Sequence, residues 1–589
     1  MSINYGTSIY HHVAAIYQRD AQGTLLIIDG RYADQIRAQW SQLFHTLSTS
    51  QPIITAGLAF DKSITTTECI VLFTQKSQAE EQTTTQIHEL QDPNSATIRG
   101  LVTLTPSSTL SKEFFNWSKI FLLLNARFLT NSLVPASENT EARAIAERIT
   151  NLFEEILKNT SQDDRWLSQG GRQYFIDKVY TFTKDRKIIE LCLPAFPCKS
   201  SNPNKVAGVQ PDAAEHLALN HLHSFVEQVS RIYTPGATLW IISDGHVFSD
   251  NIGVDDYLVD EYGATLATQY QQRTPNTPKD QALIQFTGLE DLFFSSPEST
   301  AAFTPSMLHT VEIPQPVQTV QTERAQLCRL LLENVGGIDR THLRTLIDRK
   351  DPDTVALYQG QSRFMLEDLG SYLSSKNIGN KQKKKIASLV AAEMIARNHA
   401  YSNLVELLFP HHIRLSIHAH NNSGPKFGIR LFPRGSVRPV HDFQTLLDVD
   451  GEGNKPLYEF QIPTPWHNTL VKVQGSGVSY LTRSSIARDA IASGEFEGVW
   501  VEGSDGGYFE IRRVKGEGEG EDTEVEAGAA GETESDTETL VDVNAEPVVA
   551  KKEPLKGAVA VKKKSVLRTM GKFVWDRILG CWRLIRAVV

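Results

Sequence analysis

Between Asn139 and Gly263, short apolar runs of strand character alternate with helical stretches, and that order limits the fold more than any other feature of the chain. NTEARAIAERITNLFEEILKN (139–159) has apolar residues at helical spacing behind Ser137 and Asn139 as capping residues. DAAEHLALNHLHSFVEQVSRIY (212–233) repeats the helical pattern, and ATLWIISDG (237–245) is a buried strand that ends in a turn. Strands separated by helices pair in parallel, because the helix supplies the crossover.

The rest of the chain extends this pattern. Residues 324–409 are expected to be mainly helical, with the basic run in NKQKKKIASLVAAEMIARNHA (380–400) as a solvated helix face and apolar positions at 386, 389, 390 and 394. HIRLSIHAHN (412–421) alternates as a strand does, and KFGIRLFP (426–433) is its expected hairpin partner across Ser423-Gly424-Pro425. Ahead of these elements, TLLIID (24–29), ECIVLFT (68–74) and ADQIRAQWSQLFHTL (33–47) form an extra N-terminal α/β unit over 1–135. Asp29 there either lines a crevice or makes an Asp-Gly turn. The expected fold is α/β: a mixed, mostly parallel sheet flanked by helices as a Rossmann-like core over 136–513, with a disordered C-terminal tail.

Charge marks where that core ends. Residues 517–546 hold 12 acidic residues and no basic one, whereas 551–589 hold 11 basic and 2 acidic, in a chain of formal charge −10. The segment 514–550 is expected to be an acidic disordered linker, since it has too few large apolar residues to bury. In 551–589, Val566, Met570, Phe573, Val574, Ile578, Cys581, Ile585 and Val588 share a helical face opposite Arg568, Lys572, Arg583 and Arg586. Such a basic amphipathic helix (566–589) can lie on an anionic membrane, on a partner, or on the protein's own surface. Residues 1–515 show no basic stripe, which argues against nucleic acid as a partner. Five cysteines without C-x-x-C or zinc-ligand spacing suit reduced thiols, and no leader or long apolar run is seen, so a cytoplasmic protein is expected.

Three polar clusters could carry chemistry. In RIYTPGATLWIISDGHVFSDNIGVDDYLVDEYG (231–263), a buried strand delivers Asp244 to a turn, followed by Asp250, Asp255 and Asp256. These carboxylates could hold an ammonium or take up protons, or could simply make turns and cap a helix. In PAFPCKSSNPNK (194–205), Lys199, Ser200, Ser201, Asn202 and Lys205 offer cations and neutral donors to a sugar phosphate, without the glycine pattern of a nucleotide loop. Alternation places Arg414, Ser416, His418 and His420 on one strand face near Lys426, where they either face solvent or bind phosphate and move protons. His418-x-His420 is too common a spacing to imply a metal, and none is expected. TPWH (464–467) adds His467 on a rigid turn.

Taken in order, PAFPCKSSNPNKVAG, PDAAEHLAL, YTPGATLWIISDGHVFSDNIGVDD, FPHHIRLSIHAHNNSGPKFGI and TPWH resemble the pyoverdine/dityrosine biosynthesis family, whose members include isocyanide synthases. The resemblance spans about 190–470 and makes 136–513 the synthase domain. It implies an L-amino acid substrate (Tyr, Trp or Val), ribulose 5-phosphate as donor of the isocyanide carbon, no cofactor, and a downstream tailoring enzyme. Lys199, Ser200, Asn202, Lys205, Asp250, Asp255, Arg414 and Lys426 would then bind substrate, and Asp244, His418, His420 and His467 would move protons. The same family implies a rival product, an N-formyl amino acid such as formyltyrosine for spore-wall dityrosine. A membrane-tethered, non-catalytic scaffold is the alternative of another class.

Overall fold

The computed structural model describes residues 13–30, 32–49, 53–55, 66–70, 83–91, 97–106, 139–159, 163–275, 277–278, 281–294, 308, 310–409, 412–418, 420–440 and 463–514. The expected acidic linker beyond Val514, the basic helix at 551–589 and the strand residues 71–74 lie outside them.

The N-terminal unit is built on strands β1 (Val13–Arg19), β2 (Leu25–Asp29), β3 (Ile53–Thr55), β4 (Thr66–Ile70), β5 (Thr83–Gln91) and β6 (Ile98–Pro106), with helices α1 (Ala33–Ala38) and α2 (Trp40–Thr49). The strands lie in the order β2-β1-β6-β5-β4-β3, and each pair is antiparallel. Ala15, Tyr17, Ile28 and Val102 pack with Ile36, Trp40 and Leu43 of the helices. Val13, Ile16 and Leu101 instead join an apolar cluster with Ile242, Tyr401, Leu404 and Val405 of the following domain.

That domain opens with α3 (Thr140–Ile156), capped by Asn139, whose side chain accepts from Ala142 N at 3.1 Å, and continues through α4 (Gly171–Thr183). Strand β7 (Ile189–Pro194) leads through α5 (Ala213–Ile232) to β8 (Ala237–Ser243), and then α6 (Gly245–Ile252) and α7 (Asp256–Arg273) lead to β9 (Ile284–Gly288). After α8 (Leu289–Phe294) come α9 (Glu323–Asn334), α10 (Arg340–Asp348), α11 (Pro352–Asp368), α12 (Gly370–Ser375) and α13 (Asn380–Leu408). The lysines that begin α13 are solvated as expected, while its last ten residues are all buried; Leu389, expected among its apolar positions, is 49 % exposed. The chain then returns as β10 (Ile413–Ser416) and β11 (Lys426–Gly428).

The central sheet has the order β11-β10-β7-β8-β9 and is parallel throughout. The hairpin expected between 412–421 and 426–433 is therefore corrected. Arg414 pairs with Lys426 and Ser416 with Gly428 in parallel register. The connection loops out to where Asn421 O accepts from Arg165 N and Asn422 Nδ2 donates to Asn159 O, and these long-range bonds turn the chain through a full reversal. Because the chain leaves β7 toward β8 and β9 and later returns on its other side as β10, the loops after β7 and β10 diverge. A crevice at strand carboxyl ends follows from that topology.

The remaining strands, β12 (Val437–Pro439), β13 (Thr469–Val473), β14 (Ser479–Thr482), β15 (Phe496–Gly503) and β16 (Gly506–Arg513), form a mixed sheet in the order β12-β14-β13-β16-β15. Helix α14 (Ser484–Ala492) packs on it through Ala487 and Ala490. TPWH forms a 3-10 turn, Pro465–His467, just ahead of β13.

Phe153 of α3 anchors the largest core cluster, fully buried and stacked on Phe175 at 4.3 Å, with Phe225 and Phe427 edge-on. Since Phe427 follows Lys426, this aromatic group also seats β11. Phe153→Ala should lower stability by about 3–5 kcal/mol through lost burial and an unfilled cavity, read as a reduced urea midpoint; a change below about 1 kcal/mol would mean that the site collapses without cost.

Candidate active site

The crevice at the ends of β7, β8 and β10 gathers buried charged groups of both signs. Arg414, on β10, is 9 % exposed. Its neighbours in register are Cys192 and Lys426, and among the described residues its guanidinium meets only the Cys192 thiol, at 3.9 Å, while its Nε has no partner. A buried arginine without a carboxylate is costly unless an anion arrives. Lys426 stands beside it, donating to Ser402 Oγ at 2.6 Å, and burial lowers its pKa despite the charge of Glu406.

Asp244 follows β8 and lies within range of the Arg414 charge. Its Oδ1 is buried with no hydrogen-bond partner among the described residues. Burial raises its carboxyl to about 6, while the Arg414 charge pulls the other way. The glycine of this Asp-Gly pair serves close approach: a Cβ on Gly245 would strike Pro197 O and the Val259 side chain. Asp244 is thereby held against the loop that follows β7.

Three imidazoles complete the polar wall. His418 is exposed to solvent, yet the surrounding protein depresses its pKa to about 4 with help from Lys426, as expected of a residue on the wall of a cleft. His420 contacts Ser416 Oγ at 3.0 Å and is likewise pushed to about 4, by burial and then by His418, Lys426 and Arg414. His467 contacts Thr464 Oγ1 through Nδ1 at 3.1 Å and sets its ring against Phe364, with centroids 5.2 Å apart. Burial lowers it to about 4 against the opposing charge of Asp368. At neutral pH the three imidazoles therefore start neutral beside Asp244, Arg414 and Lys426, a set able to bind an anion and to accept protons.

The other expected site residues are held by partners within the protein, and Lys199 and Lys205 lie near enough to act on the charge of His467. Lys199 is enclosed, its Nζ on Asp212 Oδ2 at 2.8 Å, Glu215 Oε2 at 2.8 Å and Pro465 O at 2.9 Å, so all three donors are engaged. Lys205 pairs with Asp368 at 3.0 Å and lies over the Phe364 ring. Ser200 Oγ donates to Asp368 at 2.6 Å, and Asn202 Nδ2 donates to Glu367 O at 2.9 Å. Asp250 is enclosed by Arg397, at 2.7 and 3.1 Å, and Arg329, at 3.3 Å. Asp255 precedes α7 and accepts from Gln321 Nε2 at 2.7 Å.

Sequence reading missed Asp368, Phe364, Tyr401 and Ser402. Asp368 ends α11, where an acid opposes the helix dipole, and that misfit was a usable signal. Tyr401, whose hydroxyl donates to Ile242 O at 2.8 Å, and Ser402 sit in the buried end of α13, where polar residues in an apolar run call for partners.

The family model described as "Pyoverdine/dityrosine biosynthesis protein" matches residues 179–494, a span that contains every residue of the cleft. The spore wall maturation protein DIT1 of Saccharomyces cerevisiae is 41% identical over 424 residues, 71% of this chain and 76% of that protein. An L-tyrosine isonitrile synthase of Xenorhabdus nematophila is 32% identical over 260 residues, 44% of this chain and 68% of that one. The crystal structure of the PvcA protein from Pseudomonas aeruginosa aligns with a TM-score of 0.46 at 23% identity, covering 63% of this chain and 100% of that chain. With more than half of its length matched by the family model and this extent of shared sequence, the chain belongs to the pyoverdine/dityrosine biosynthesis protein family.

Proposed function

We propose that this protein is an isocyanide synthase that converts the amine of an L-amino acid to an isocyanide, with ribulose 5-phosphate as the carbon donor. The observation that carries the proposal is the buried Arg414 beside Lys426, within range of the Asp244 carboxyl, with Arg414 Nε and Asp244 Oδ1 lacking hydrogen-bond partners among the described residues. The two cations suit the sugar phosphate or the substrate carboxylate, because charge-assisted hydrogen bonds to a guanidinium are strong and directional. Asp244, with a pKa about 6, is ionised at neutral pH and takes a proton from the ammonium group, freeing the amine to attack the sugar ketone. Loss of water to the imine and the later carbon–carbon cleavages need further proton transfers. His418, His420 and His467 start neutral and can accept protons and pass them on. Lys199, Ser200, Asn202, Lys205 and Asp250 act here as the frame of the site, and Asp255 ties the start of α7 to Gln321.

The 41% identity to a spore wall maturation protein favours a second product within the same chemistry, an N-formyl amino acid formed when water adds to the isocyanide. The gathering of Asp244, Arg414 and Lys426 in one crevice speaks against a non-catalytic scaffold.

Incubating the purified protein with ribulose 5-phosphate and a panel of amino acids should yield, by mass spectrometry, a product heavier than its amino acid by one carbon and lighter by two hydrogens. Asp244→Asn should reduce its rate by on the order of 10²- to 10⁴-fold. A formyl adduct without any trappable isocyanide would support the second product, and no turnover of any amino acid by folded protein would remove the proposal.

The pH profile offers an independent check. Since Asp244 acts as a carboxylate, kcat/KM should fall as pH drops through about 6. Arg414→Gln removes the charge that holds this pKa down, so the acid limb should move to higher pH, with KM for ribulose 5-phosphate raised roughly 10- to 100-fold. An unmoved limb and KM would exclude Arg414 from both roles.

A further inference from the structure

We propose that Lys199 is a positioning residue for His467, acting through the Pro465 carbonyl, and that it does not bind substrate. The inference rests on His467 moving protons in the reaction proposed above.

Lys199 lies in the loop after β7, and its side chain has no solvent exposure. Its carboxylate partners are themselves fixed at the start of α5. Asp212 accepts from Ala214 N at 2.8 Å, Glu215 accepts from Asp212 N at 3.0 Å, and Tyr262 donates to Glu215 at 3.0 Å. The ammonium thus has one end tied to a rigid helix terminus, and its third donor reaches Pro465 O at 2.9 Å. The next residue repeats the link, with Ser200 N donating to Trp466 O at 2.9 Å. Two consecutive carbonyls of the 3-10 turn are therefore held by two consecutive residues of the loop.

His467 is the third residue of that turn. Its ring orientation depends on the turn, because its own side-chain anchors are the Thr464 hydroxyl and the Phe364 ring edge. A phosphate at Lys199 would have to displace a carboxylate or the Pro465 carbonyl, leaving a buried group unpaired. An ammonium with no free donor is suited to holding a backbone in place.

The test uses the full-length protein with Lys199→Met and Lys199→Arg. Arginine keeps the charge for Asp212 and Glu215 but cannot set the same donor on Pro465 O. Two readouts are followed: steady-state kinetics with ribulose 5-phosphate, and the NMR titration of the His467 ring, identified by its loss in His467→Gln. In both variants kcat should fall on the order of 10- to 100-fold, with KM for ribulose 5-phosphate within about threefold, as for a misplaced proton-transfer group. The His467 ring, held near 4 chiefly by burial, should titrate at higher pH as the loosened turn admits water. In Lys199→Met part of that rise comes from the lost lysine charge, so Lys199→Arg isolates the effect of the turn. A KM raised 10-fold or more with kcat retained would make Lys199 a substrate ligand and overturn the proposal. Unchanged kcat and titration in Lys199→Arg would overturn it as well. Should no amino acid be turned over, the titration in Lys199→Arg still decides the positioning role by itself.

Discussion

Asp250 is the point on which the arrangement of the site depends. It has no exposed surface, and two guanidinium groups from different helices, Arg397 of α13 and Arg329 of α9, converge on it. Arg397 also reaches Val247 O and Glu393, and Arg329 reaches Ser249 and Asp256. Opposed charges at this depth are tolerated only as a closed network, since loss of one partner leaves the others buried and unpaired. The helix that begins just after Asp244 is thereby locked to the helix that carries Tyr401 and Ser402. The two walls of the cleft cannot move apart without breaking it.

The network is itself incomplete among the described residues, where Arg329 Nε and one terminal nitrogen have no hydrogen-bond partner, and the cleft too leaves polar atoms unsatisfied. Arg414 and Asp244 have buried polar atoms without partners among the described residues, and they lie within the range of each other's charge. Burial raises the Asp244 carboxyl and depresses His420 and His467, and the surrounding protein with Lys426 lowers the exposed His418, so the imidazoles start neutral and able to accept protons. The parallel sheet explains why these groups meet. Asp244, His418 and His420 follow β8 and β10, and Arg414 sits within β10, on the side where the loops after β7 and β10 part, while His467 comes from the turn ahead of β13.

Much of this was legible in the chain. Apolar strands alternating with helices announced the parallel sheet, and Asn139 caps the helix expected of it. Residue type at the ends of elements singled out Asp244, His418, His420 and His467, the groups to which the proposed reaction gives its proton transfers. Other features were not legible because they depend on contacts far apart in sequence. The hairpin reading of 412–433 failed because periodicity marks strands without stating their direction. Lys199 and Lys205 have the chemistry of phosphate ligands, but whether a cation faces a cleft or a carboxylate depends on partners 13 and 163 residues away.

The sequence by itself determined the alternation of elements, their caps and breaks, the inventory of titratable side chains and the family, all of which reside in local spacing and residue type. Only the tertiary structure decided which charges are neutralised. It encloses Lys199, Lys205 and Asp250 within protein and leaves Arg414 and the Asp244 oxygen without partners among the described residues. The physical reason is that a side chain's charge state and availability follow from its dielectric surroundings and its nearest opposite charge, and both are set by segments that meet only when the chain has folded.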